Sequence, residues 1–320
     1  MNRRMIINSV GLVLRVEAAL LLLPAAVGML YGEKQTLIAF LISAAISLLL
    51  GLLPKLFLKP KTHVIYAKEG FIIVAFTWIM LSLVGAVPLV LAGAVTSYAD
   101  AFFEIVSGFT TTGSSVIPDV EVLSHGALFW RSFTHWVGGM GIIVFVMAIL
   151  PNVSERPIHI LRAEIPGPTV GKLVPRIKDT ALILYLIYIV MTVIETVMLL
   201  FGGMSFFESL LHTFGTAGTG GFGLKRDSLA SYSPYIQWVI TAFMILFGVN
   251  FNLYYLMLLK KFKAVVTSTE LWAYFGIILS SAALIAWNIR HLFGGLEQTV
   301  RTAAFQVASV ISTTGYATAD

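Results

Sequence analysis

Asp100-Ala101-Phe102-Phe103-Glu104 leads into Ser107-Gly108-Phe109-Thr110-Thr111-Thr112-Gly113-Ser114. The apolar stretch near 99–110 is too short to span a bilayer and runs directly into Gly/Thr/Ser-rich sequence. Segments of this kind enter and leave a membrane on one side. The pattern returns twice. Phe206-Phe207-Glu208 is followed by His212-Thr213-Phe214-Gly215-Thr216-Ala217-Gly218-Thr219-Gly220-Gly221, and Ala304-Phe305-Gln306 by Ser309-Val310-Ile311-Ser312-Thr313-Thr314-Gly315-Tyr316. Gly113, Gly220 and Gly315 recur at intervals of 107 and 95 residues, the signature of one structural unit used several times. A single Thr-Thr-Gly reads as an ordinary turn; three of them, each after a short apolar helix and each on the same side, do not. The run from Gly218 to Gly223 has the look of a nucleotide-binding glycine loop, but it lacks the strand and βαβ unit such a loop needs.

Working outward, the rest of the chain is built for lipid. Apolar residues are 58% of the 320, charged residues 12%, and the mean hydropathy is +0.90. A soluble domain carries roughly 25% charged residues. Spanning helices are expected near 7–30, 36–54, 70–95, 126–151, 180–202, 234–259 and 270–292. The run from Val10 to Leu30 exceeds a cleavable signal's apolar core and reads as a retained span. There is no cysteine, which excludes disulfides and thiolate metal sites. The net charge of +5 carries topology rather than nucleic-acid binding. With a cytoplasmic N-terminus, fourteen Lys and Arg fall inside and six outside, provided that the short segments re-enter from outside without crossing.

A cation inside a bilayer needs oxygen ligands in place of water. Backbone carbonyls supply them when a short extended segment points them at an axis, and glycine frees the backbone to do so. The residues expected to line such a path are Thr111, Thr112 and Gly113, then Thr219 and Gly220, then Thr313, Thr314 and Gly315. The C-terminal end of each short helix adds partial negative charge there. Asp100, Glu104, Asp119 and Glu121, with no Lys or Arg between Thr96 and Ser124, would form a negative vestibule. For Glu104 and Glu208 a bracing role behind the loops is favoured over ion contact. Glu195, mid-span, is either an ion-path acid or a structural hydrogen-bonding group. Asn250 and Asn252, after Gly248, either satisfy backbone at a kink or line an inner cavity. His135 is expected to pack, and Gly138, Gly139 and Gly141 to let helices approach closely.

The stretch Phe129-Trp130-Arg131-Ser132-Phe133-Thr134-His135-Trp136-Val137-Gly138-Gly139-Met140-Gly141 resembles the second helix of the first unit in TrkH proteins. Ser312 to Asp320 resembles their third filter, and Gly248-Val249-Asn250-Phe251-Asn252 is similar as well. The resemblance covers essentially the whole chain and places it beside KtrB and the plant HKT proteins. It implies an all-α membrane protein of four M1–P-loop–M2 units around one pore. It implies a homodimer, a cytosolic nucleotide-binding TrkA-type regulatory subunit, and potassium selectivity through Gly113, Gly220 and Gly315. The corresponding division is 1–66 for two extra N-terminal helices, 67–152 and 153–263 for the first two units, and 264–320 for a partial third. Two departures stand out. Glu208 precedes Gly220 by twelve residues where Glu104 precedes Gly113 by nine, so Gly218 competes with Gly220 for the filter position. The sequence also stops at Asp320, so the rest of unit three and all of unit four are expected to be missing. The resulting expectation is potassium transport in a cell membrane, a bacterial inner membrane on the resemblance, with potassium ion and lipid as partners and no nucleic acid. The alternatives are sodium- or proton-coupled symport, to which Glu195 points, and a non-conducting fragment. The six scattered histidines offer no nucleophile–base pair or metal cluster for an enzyme.

Overall fold

The computed structural model describes residues 2–58, 67–141 and 177–319, with side chains from 68 and from 181 onward in the latter two stretches. The described residues are helical, with no strand among them. Among the described residues, five helices are long and apolar enough to cross a membrane, six if one bent pair is a single span. The expected span 126–151 is described only as far as Gly141.

One compact unit comprises Met1–Thr110 and Ser114–Tyr185. It holds α1 (Arg3–Leu20), α2 (Leu22–Leu30), α3 (Lys34–Phe57), α4 (Ala67–Leu91), α5 (Tyr98–Phe109) and α6 (His125–Gly139). The interruption between α1 and α2 at Leu21 lies just before Pro24, whose missing N–H and bulky ring disturb the preceding turn. α1 and α3 cross at glycines. A Cβ on Gly51 would stand 2.6 Å from the Gly11 carbonyl oxygen, so the crossing needs small residues on both helices. Trp130 on α6 is fully buried and donates its indole N–H to the Gly85 carbonyl of α4 at 2.9 Å. Gly138 and Gly139 close α6, and Gly141 follows with φ at 76°. His135 is buried on the same helix.

The other unit comprises Thr111–Gly113 and Leu186–Asp320. Its helices are the greater part of α7 (Ile177–Phe201), then α8 (Phe206–Ala217), α9 (Pro234–Gly248), α10 (Phe251–Leu258), α11 (Phe262–Val266), α12 (Thr269–Ile289) and α13 (Leu296–Ile311). Serines start several of them. Ser233 and Ser268 each accept the N–H of the third residue on, and Ser205 forms a reciprocal capping box with Glu208. α9 and α13 pack together. Arg301 on α13 donates to the Gln237 side chain of α9 and pairs with Glu297 at 2.9 Å. Hydrogen bonds from Arg301 and then Trp238 hold the exposed Glu297 carboxyl below its ordinary range.

The expected span over 234–259 is bent by 85° between α9 and α10, at the kink that one reading of Asn250 and Asn252 provided for. Gly248, Val249 and Asn250 make the corner, and its freed backbone groups find partners. Tyr254 and Tyr274 donate their hydroxyls to the carbonyls of Leu246 and Ile245, at 2.7 and 3.1 Å. Asn250 caps α10 by accepting from Asn252 N–H at 3.0 Å and reaches Glu270 at 3.2 Å. Such partners make irregular backbone tolerable at membrane depth.

Candidate ion-conducting site

Three short helices, α5, α8 and α13, end in the same way. Thr110, Gly218 and Ser312 are their C-caps. The next residue in each case is a threonine in the left-handed region: Thr111 at φ 55°, Thr219 at 53° and Thr313 at 60°. Two residues later comes a left-handed glycine: Gly113 at 77°, Gly221 at 72° and Gly315 at 86°. In α8 the N–H of Thr219 bonds to Thr216 and that of Gly220 to Gly215, both at 3.0 Å. In α13 the N–H of Thr313 bonds to Val310 at 3.1 Å and that of Thr314 to Ser309 at 2.9 Å. This is the Schellman pattern, with threonine at a position that glycine usually fills. A β-branched residue with positive φ is a true outlier, and strain of this kind gathers at functional sites.

These angles correct the register of the second loop. The equivalent of Gly113 and Gly315 is Gly221, not Gly220 or Gly218. Gly218 is a right-handed helix cap, and Gly220 holds the middle place that Thr112 and Thr314 hold in the other loops. The same correction moves the acidic motif. Counting back from the caps, Glu104 is matched by His212 and Gln306, whereas Glu208 lies a full turn earlier. Glu208 accepts from Ser205 N–H and hydroxyl at 3.2 and 2.9 Å and from Tyr232 at 3.2 Å. Its place is therefore the start of α8, not behind the loop.

The structure brings Thr111–Gly113, Thr219–Gly221 and Thr313–Gly315 into one unit. A Cβ on Gly113 would overlap the Gly220 carbonyl oxygen, and a Cβ on Gly221 would overlap that of Thr314. On Gly315 it would meet nothing within 4 Å. Tyr316, fully buried, ties the third loop to α8. Its carbonyl accepts from Ser309 at 2.7 Å, and its hydroxyl donates to the His212 carbonyl at 3.2 Å. Gly215 makes room for that hydroxyl, which a side chain there would displace. Ser312 and Thr314 join hydroxyls at 2.7 Å. Among the described residues no group of three His, Asp or Glu could hold a metal ion. The oxygens gathered at the loops belong to backbone and hydroxyl groups.

Glu104 is completely buried and braces the chain just beyond the first loop. It accepts from Arg131 Nε at 2.7 Å, from Ser115 Oγ at 2.9 Å and from Val116 N–H at 3.1 Å. Arg131, one of the six Lys and Arg expected on the outer side, is likewise buried. Of the four acids expected to form a negative vestibule, Glu104 is thus withdrawn into a buried ion pair. Sequence reading missed Arg131's pairing and the parts played by Gly221, His212 and Tyr316. An Arg in an apolar, aromatic helix was the available sign for the first. Glu195 lies in α7, fully buried, with neither carboxylate oxygen in hydrogen-bond geometry; Thr216, whose own hydroxyl donates to the His212 carbonyl at 2.9 Å, is close enough to influence it.

Residues 36–279 match the TrkH family, described as a cation transport protein family. The chain belongs to the TrkH family. The chain is 32% identical over 325 residues to the Trk system potassium uptake protein TrkH of Escherichia coli K12, covering 99% of this chain and 67% of that protein. The TrkH of Halomonas elongata is 32% identical over 342 residues, covering 100% and 67%. The crystal structure of the potassium transporter TrkH from Vibrio parahaemolyticus superposes with a TM-score of 0.86 at 30% identity, covering 99% of this chain and 66% of that one. The chain thus spans about two thirds of the length of these TrkH relatives. Membership makes it a multi-pass membrane protein of a transporter family rather than an enzyme family.

Proposed function

We propose that the chain forms three walls of a potassium-selective pore and carries potassium across a cell membrane. The observation that carries this is the threefold left-handed Thr–x–Gly loop, each at the C-terminal end of a short helix. In this reading Thr111–Gly113, Thr219–Gly221 and Thr313–Gly315 present carbonyls that replace the ion's hydration shell. Helix C-termini and the Asp100, Asp119 and Glu121 carboxylates favour a cation on approach. A fourth loop would set its carbonyl against Gly315, as the second and third loops do against Gly113 and Gly221. The potassium uptake named for the relatives agrees with this reading. A homodimer and a TrkA-type cytosolic partner are its further expectations.

The test is rubidium uptake into proteoliposomes holding the full-length protein, with sodium and pH gradients varied independently. Saturable rubidium flux that exceeds sodium flux and ignores both gradients is the expected result; no rubidium flux above empty vesicles overturns the pore. The buried carboxyl of Glu195 within α7 favours one second reading, coupled symport, and flux that follows either gradient and loses that dependence in Glu195→Gln would establish it.

A further inference from the structure

We propose that Glu104 and Arg131 are a positioning pair that sets the geometry of the first loop and, through it, part of the discrimination between potassium and sodium. This rests on the pore reading above and adds to it a device confined to one wall.

The pair is buried in full: Arg131 Nη2 stands 2.6 Å from Glu104 Oε1, with the side chains 2% and 0% exposed. Its grip on the chain leaving Gly113 is direct. The Ser115 hydroxyl donates to Glu104 and also lies 3.2 Å from Arg131 Nη2, while Val116 donates its backbone N–H to Glu104 at 3.1 Å. Two rigid charged groups thus fix one hydroxyl and one amide within three residues of the loop glycine. Charge-assisted hydrogen bonds of this kind are short and roughly twice as strong as neutral ones.

The repeats themselves show that the fold does not need the pair. Matched through the C-caps, His212 takes the place of Glu104 in α8. Matched through the N-caps Ser124 and Ser233, Ile240 takes the place of Arg131 in α9. Both are fully buried. The second repeat has replaced acid and base together, leaving no stranded charge, and His212 bonds instead to Tyr232 at 3.2 Å. In the third repeat the matching residue is the uncharged Gln306. A buried ion pair is commonly no more stabilising than well-packed apolar side chains of the same volume. What it supplies in the first repeat, and what Ile240 and His212 do not reproduce, is a fixed set of acceptors for Ser115 and Val116.

The test is the rubidium-to-sodium flux ratio of the full-length protein in proteoliposomes, read in two variants. Glu104→Leu combined with Arg131→Met removes both charges at once and avoids a stranded one. Ser115→Ala keeps the pair and cuts its hold on the exposed loop, so it folds even where the double variant does not. The expected result is a fall of about tenfold in the ratio for the double variant and a smaller fall for Ser115→Ala, the scale set by losing charge-assisted hydrogen bonds. An unchanged ratio in Ser115→Ala, together with an unchanged ratio or failure to fold in the double variant, overturns the proposal and leaves the pore reading intact. Absence of selective rubidium flux in the unaltered protein overturns the pore reading instead.

Discussion

Thr111, Thr219 and Thr313 hold a β-branched side chain in a left-handed backbone, at a cost of about 1–3 kcal/mol each. Recurrence of that cost at one position in three loops argues that the conformation serves the proposed pore and not merely the turn. The glycine two residues on has no comparable freedom of choice, and here the second loop offers a sharp test. Gly220 occupies the place that Thr112 and Thr314 fill, so Gly220→Thr should be tolerated. Gly221 combines a φ of 72° with a clash against the Thr314 carbonyl, so Gly221→Ala should lower the rubidium-to-sodium ratio about tenfold or more, the equivalent of a 1.4 kcal/mol loss of discrimination. Equal damage at both positions contradicts the register. Sequence alone could not choose Gly221, because Phe206-Phe207-Glu208 imitates Phe102-Phe103-Glu104 in letters while doing a different job. Glu208 closes a capping box at the helix start, and the two motifs differ by a helical turn.

At the scale of elements, the long spans were legible because lipid leaves so little latitude. A backbone with no water to bond must form about 20 apolar helical residues or re-enter, and α3, α4, α7 and α12 follow that rule. The 85° corner between α9 and α10 was foreshadowed by Gly248, Asn250 and Asn252 in a largely apolar run. Part of what holds it lies elsewhere in the sequence, in the hydroxyl of Tyr274 on α12. Tyr274→Phe leaves the Ile245 carbonyl without that donor, and the expected loss of stability is about 1–3 kcal/mol. Thermal unfolding of the purified protein in detergent measures it; a midpoint equal to the parent's would show that the corner is held by other means.

For the whole molecule, composition decided the class, and the Lys/Arg distribution sets the expected orientation, with the N-terminus inside. The absence of native cysteine makes that orientation directly measurable. Glu121→Cys should react with a membrane-impermeant maleimide in intact cells, and Lys261→Cys only after permeabilisation; the reverse pattern inverts the topology. The arrangement of the loops was not legible, since neighbours that meet in space are some hundred residues apart and leave no local trace. Its form has a further consequence. Gly113 lies against the carbonyl of the second loop and Gly221 against that of the third, so the two contacts run head to tail in one sense. Injury along such a series travels one way: a side chain added to Gly113 displaces the Gly220 oxygen, and one added to Gly221 displaces the Thr314 oxygen. Each loop is the gauge of the one before it.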